Sequence, residues 1–87
     1  MYRVSIKRKI LKNVDKMPEE IKDSFEYLIQ DLIDKGNIQK QWRNFCKIGE
    51  NRYHCHLAYS WVACWKCEKK SIYIEVYYAG SREKAPY

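Results

Sequence analysis

The stretch RYHCHLAYSWVACWKCEKKSIYIEVYYA, residues 52–79, decides how this chain folds. Its first six residues alternate, with Tyr53, Cys55 and Leu57 on one side and Arg52, His54 and His56 on the other. That period of two marks a strand with one face turned to a core. Trp61 to Cys67 is an apolar run of strand-forming residues. Ile72 to Ala79 alternates again, placing Ile72, Ile74, Val76 and Tyr78 opposite Tyr73, Glu75, Tyr77 and Ala79. The connections at Ala58-Tyr59 and Glu68-Lys69-Lys70 are too short for a crossover, so neighbouring strands pair as antiparallel hairpins. A further short strand fits Phe45–Ile48.

Upstream, Tyr2, Val4 and Ile6 alternate with Arg3, Ser5 and Lys7, which predicts a short half-buried strand. Ile10, Leu11, Val14 and Met17 have the spacing of a short amphipathic helix. Pro18 suits the first turn of a second helix, and Glu19 and Glu20 complement its positive end. Ile21, Phe25, Leu28, Ile29, Leu32 and Ile33 then form one apolar stripe. Lys35 and Gly36 end it. The expected order is β-α-α-β-β-β-β: an α+β fold with a twisted antiparallel sheet and two N-terminal helices on one face. The opposite face carries Arg52, His54 and His56.

The 87 residues suit a single domain, 1–87. A hydrophobic fraction of 46% excludes a disordered chain. No apolar run reaches the roughly 20 residues of a membrane helix, so no membrane partner is expected. The first residues lack the apolar core of a secretory signal, and the expected location is cytoplasmic. In that compartment the 4 cysteines stay reduced. The net charge of +6 points to an anionic partner. Residues 1–17 and 37–87 are basic, whereas 18–36 hold 6 acids against Lys22 and Lys35.

His54 and His56, two apart on a strand, project from the same face. Imidazoles titrate near neutrality, so the pair can supply a general base and acid; it can equally be two surface histidines. A zinc site built from Cys46, Cys64, Cys67 and the His-Cys-His run is the rival. Strand geometry opposes it, since Cys64 and Cys67 face opposite ways and Cys55 faces away from both histidines. No metal or cofactor is expected. Near the C-terminus, Arg82 can present a planar fork to phosphate and Tyr87 can stack on a base; otherwise this segment is a frayed basic tail. Basic and aromatic residues interleave at Trp42-Arg43, Lys47, Arg52-Tyr53, Tyr59, Trp61 and Trp65. That combination suits single-stranded RNA, although indoles also complete small cores.

The ordered set Tyr2-Arg3-Val4, Leu11…Met17-Pro18, Lys47-Ile48-Gly49…Arg52-Tyr53-His54-Cys55-His56-Leu57 and Ile74-Glu75-Val76-Tyr77-Tyr78-Ala79-Gly80, running into Glu83-Lys84-Ala85-Pro86-Tyr87, resembles the RelE/ParE toxin superfamily. The resemblance spans essentially the whole chain. It implies a RelE-like microbial RNase fold and the toxin of a type II toxin–antitoxin system. The implied activity is that of an mRNA interferase, an endoribonuclease that enters the ribosomal A site and cuts mRNA. There a ribose 2′-hydroxyl attacks the adjacent phosphate without a metal. His54 and His56 fall where RelE-type toxins place two catalytic lysines. Arg82 falls on the C-terminal catalytic arginine and Tyr87 on the C-terminal tyrosine. A further arginine of the family is replaced by Val62, and the preceding loop is shortened to Ala58-Tyr59-Ser60. Lys47, Arg52 and Arg43 are expected to bind the RNA backbone. The implied partners are the ribosome, mRNA and a cognate antitoxin. Such antitoxins are often DNA-binding repressors, and DNA is reached only through them.

Two alternatives stay open. A ParE-like toxin shares the fold, lacks the catalytic set and acts on DNA gyrase; Val62 favours it and the histidine pair opposes it. A small nucleic-acid-binding or zinc module is the other.

Overall fold

The computed structural model describes all 87 residues. Strand β1 (Arg3–Ile6) leads into helices α1 (Arg8–Asp15) and α2 (Glu19–Lys35). Strands β2 (Cys46–Gly49), β3 (Arg52–Ala58), β4 (Trp61–Cys67) and β5 (Tyr73–Ser81) follow, then a single 3-10 turn at Arg82–Lys84. The α+β order β-α-α-β-β-β-β is the expected one.

The sheet is mixed rather than antiparallel. Its order is β1-β5-β4-β3-β2, and β1 runs parallel to β5, with Val4 opposite Ile74 and Ile6 opposite Val76. The half-buried alternation of β1 says which face it shows, not which way it runs. Direction comes from tertiary connection. Three successive hairpins carry β5 to the open edge of the sheet, and the two helices separate β1 from all of them, as parallel pairing requires.

The helices cover one face. Phe25, Leu28 and Leu32 of α2 and Ile10 of α1 join Tyr53, Cys55, Leu57, Ala63, Trp65, Cys67, Ile74, Val76 and Ala79 in one core. Leu28, Leu32 and Trp65 are wholly buried; each such aliphatic side chain contributes about 1.5–3 kcal/mol relative to exposure. Phe45, Tyr53 and Trp65 stack with centroids 5.7–6.4 Å apart. Helix α1 has no side-chain N-cap and no acid in its first turn. At eight residues it depends on packing against β5. Leu11, expected on its buried side, is instead exposed.

Two details steer the site. Gly36 ends α2 with φ +89°, and a Cβ there would lie 2.6 Å from the Tyr2 ring. Only glycine satisfies both conditions. In β5 the pairing slips, so that Trp65 faces Val76 while Cys64 faces Tyr78. Tyr77 is the extra residue of this bulge. The slip reverses the expected faces beyond it: Ala79 enters the helix-side core, and Tyr78 turns to the other side. A period-two reading carries no signal for an inserted residue.

Candidate active site

The face away from the helices carries two cross-strand rows. His54, Cys64 and Tyr78 form one; His56, Val62 and Gly80 form the next. The histidines are not surface residues. Each is only 7% exposed, because the segment before β2 and the C-terminal segment lie over them.

Polar pins hold the first cover in place. Buried Gln39 donates from Nε2 to the carbonyls of Gly36 (2.7 Å) and Asp31 (3.0 Å). Trp42 Nε1 donates to Asp31 Oδ2 at 2.8 Å, and Trp65 Nε1 to the Asn37 carbonyl at 3.1 Å. The His56 N–H then donates to the Arg43 carbonyl at 2.8 Å. Asn44, in the left-handed region at φ 53°, reaches His56 Nδ1 with its amide nitrogen at 3.3 Å. From β2, Cys46 Sγ lies 3.3 Å from His54 Nδ1. Asn44 is a site residue the sequence reading missed; its only prior sign was asparagine's tolerance of the left-handed conformation. Cys46, weighed there only as a zinc ligand, lies instead against His54.

The second cover is an ordered tail. The Arg82 N–H donates to the Ser60 carbonyl at 2.8 Å, Ser81 Oγ caps the 3-10 turn through the Glu83 N–H, and the Tyr78 hydroxyl donates to the Ser81 carbonyl at 2.6 Å. Tyr87 therefore lands edge-on against His54, centroids 4.6 Å apart, and His54 meets His56 edge-on at 5.6 Å. The Arg82 guanidinium sits 5.7 Å over the Tyr59 ring.

Of the seven expected residues, five share this neighbourhood: His54, His56, Arg82, Tyr87 and Arg43. Arg52 shares the face one row further on, 5.6 Å over Tyr77. Lys47 is not brought there; it pairs with Tyr53 and takes that residue's helix-side face. Val62 is fully buried and adds no cation. The tryptophans are packing residues: Trp65 is in the core, and Trp42 and Trp61 pack against it. Cys64 and Cys67 face opposite sides of the sheet, with Cys67 in the core. No group of three His, Cys, Asp or Glu side chains is placed to hold a metal ion. No helix is long and apolar enough to cross a membrane.

The electrostatics suit proton transfer. Burial holds His54 below the usual histidine range, opposed by its hydrogen bond to the Cys46 backbone. Burial also lowers His56, and the charges of His54, Arg82 and Arg43 push the same way. Both rings are thus neutral at pH 7 and able to accept a proton. Burial raises Tyr87, so its hydroxyl keeps its proton. Beneath them burial pushes the Cys64 thiol up to about 12, leaving it inert as a nucleophile. Neutral bases within electrostatic reach of two guanidiniums form a place where a phosphate can bind and a neighbouring hydroxyl can give up its proton.

No family model and no curated protein sequence matches this chain. Solved structures do. A chain of the archaeal RelE–RelB complex from Pyrococcus horikoshii superposes with a TM-score of 0.75 at 16% identity, covering 97% of this chain and 98% of that one. The isolated RelE toxin of E. coli gives 0.74 at 13% identity, covering 99% and 89%. A chain of the E. coli DinJ–YafQ toxin–antitoxin complex gives 0.73 at 13%, covering 94% and 93%. Identities this low speak for backbone architecture, and over nearly its whole length the chain has the RelE-like toxin fold.

Proposed function

We propose that this protein is the toxin of a type II toxin–antitoxin system and acts in the cytoplasm as a ribosome-dependent mRNA endonuclease. The observation that carries the reading is the pair of buried neutral imidazoles beside Arg82, Arg43 and Tyr87, on a fold shared with toxins. In the reaction one imidazole takes the proton of a ribose 2′-hydroxyl. The 2′ oxygen bonds to phosphorus, the P–O5′ bond breaks, and the leaving oxygen gains a proton. A 2′,3′-cyclic phosphate remains. Arg82 and Arg43, whose charges both reach His56, offset the charge that builds on the phosphoryl oxygens. Tyr87 stacks on a base and holds the nucleotide in line. Arg52 binds backbone further along the strand, and Lys47, on the edge strand, reaches RNA only away from the cleaved phosphate.

The test is cleavage in a translating extract. Wild type is expected to cut mRNA within translated codons, and His54→Ala/His56→Ala/Arg82→Ala to leave it intact. Equal cutting by both proteins would sink the assignment.

A cognate antitoxin belongs to this reading, because such an activity must be held in check. Two of the structural neighbours above come from complexes, RelE–RelB and DinJ–YafQ. An acidic or amphipathic segment suits the basic face, and complementary charge speeds its association. Val62, in place of a cation, favours a second reading, a ParE-like toxin of DNA gyrase. Gyrase-dependent DNA breaks with intact mRNA would decide for it.

A further inference from the structure

Arg82 has a neighbour that the chemistry above does not use. Its guanidinium lies 5.7 Å over the ring of Tyr59, in the turn between β3 and β4. No carboxylate neutralises it, since the two ion pairs of the molecule, Lys7–Glu75 and Lys66–Glu75, lie elsewhere. Arg82 is therefore set against an aromatic face, and its charge is left unpaired for a phosphate.

Tyr59 is 76% exposed, the most exposed tyrosine of the chain. Its turn is nonetheless held. The Arg82 N–H donates to the Ser60 carbonyl at 2.8 Å and ties the turn to the C-terminal segment. Between the two lies an open cleft of about 440 Å³, lined by Tyr59, Ser60, Ser81, Arg82 and Glu83. That volume falls in the range of small-ligand clefts. Tyr59 is the one aromatic wall, and the others are polar or charged. Such a cleft suits a planar polar group, stacked on the ring and hydrogen-bonded at its edge.

The order along the strand says which group that is. His54 comes first on β3, then His56, then the turn. Tyr87 packs against His54, Arg82 reaches His56, and Tyr59 stands beyond. A phosphate held by Arg82 beside His56 thus has a tyrosine on either side. A phosphodiester joins two nucleosides, and Tyr87 serves only one of them.

We propose that Tyr59 is a second base platform. The cleft between the β3–β4 turn and the C-terminal segment takes the base on the other side of the cleaved phosphate from the base held by Tyr87. This rests on the nuclease reading above, which supplies the phosphate between the two tyrosines. Tyr59 takes no part in proton transfer. It stacks, so that the strand is held on both sides of the reacting phosphate.

The direct test is binding, without ribosome or cleavage. The probe is a single-stranded RNA tetranucleotide with 2′-O-methyl at every ribose, which has no hydroxyl to attack, titrated into the isolated protein. The Tyr59 ring protons are expected to shift upfield as a base stacks on them. Tyr59→Ala should bind about 5–150-fold more weakly, the scale of one stacked base. Tyr59→Phe keeps the ring and should bind like wild type. The ring is exposed, so neither change threatens the fold. In an Arg82→Ala background, Tyr59→Ala should still weaken binding severalfold. A Tyr59 effect that vanishes there would reduce the ring to a support for the guanidinium and overturn the platform. Unmoved ring protons, equal affinity of wild type and Tyr59→Ala, or no binding of the probe by wild type would overturn it too.

Cleavage of translated mRNA separates the platform from the reading beneath it. Tyr59→Ala is expected to cut more slowly than wild type, and undiminished cutting would overturn its part in the reaction. A wild type that leaves mRNA intact removes the nuclease reading, while the base site is still decided by the binding series.

Discussion

At the scale of single residues, the nuclease reading makes cleavage depend on the protonation of two histidines. Burial lowers both from their ordinary value near 6.5. The neutral form is the one that accepts a proton, so cleavage should hold on the acid side of 6.5 and fall only at lower pH. Single-turnover rates against pH measure this; an acid limb centred at or above 6.5 would contradict the burial argument. On the same reading Arg82 acts by charge. Arg82→Ala should cost about 10²–10³-fold in rate, the scale of losing one preorganised donor, with an unchanged thermal midpoint because the side chain is exposed. Tyr87 contributes to the cover over His54. Tyr87→Ala should let the His54 pKa rise back toward its ordinary value, as an NMR titration of the ring would report.

Among the elements, β3 was legible because a strict alternation carrying two same-face histidines admits one face assignment. Helix α2 was equally plain: Pro18, the apolar stripe and Gly36 agree on its ends. Gly36→Ala should destabilise the protein by about 1–3 kcal/mol, since φ +89° and the Tyr2 ring both exclude a Cβ. Denaturant melts would show it as a lowered midpoint. The burial of the histidines was not legible. It depends on Gln39, Trp42 and Asn44, polar residues in a stretch without periodicity, whose roles come from partners distant in sequence. The flip at Tyr77 was hidden for a similar reason, since a bulge is decided by two strands together. The face of Lys47 could not be read from its charge; its register opposite Tyr53 puts it on the helix side of the sheet.

For the whole molecule, the same two histidines couple protonation to stability. Unfolded, they bind protons near 6.5; folded, they do so only at lower pH. Between those values the unfolded chain holds more protons, so stability rises with pH there. Their contribution is complete above 6.5 and is lost as pH falls through 6.5 toward the lowered folded values. The unfolding free energy of wild type should decline over that window, and His54→Gln/His56→Gln should decline less. The basic balance of the chain, +6, adds a second global expectation: binding to RNA should weaken steeply with salt. Sequence showed that charge without showing its geometry. The fold brings Arg43 and Arg82 within electrostatic reach of His56 from segments that flank β2 to β5, which no local pattern could reveal.

The activity proposed for the face of His54 and His56 is the cutting of mRNA. The most direct measurement is primer extension on mRNA from cells briefly expressing the wild-type chain, beside cells expressing His54→Ala/His56→Ala. Discrete cuts within translated codons in the wild type, absent with the variant, are the predicted result. Intact mRNA under arrested growth, or the same cuts from both proteins, would contradict it.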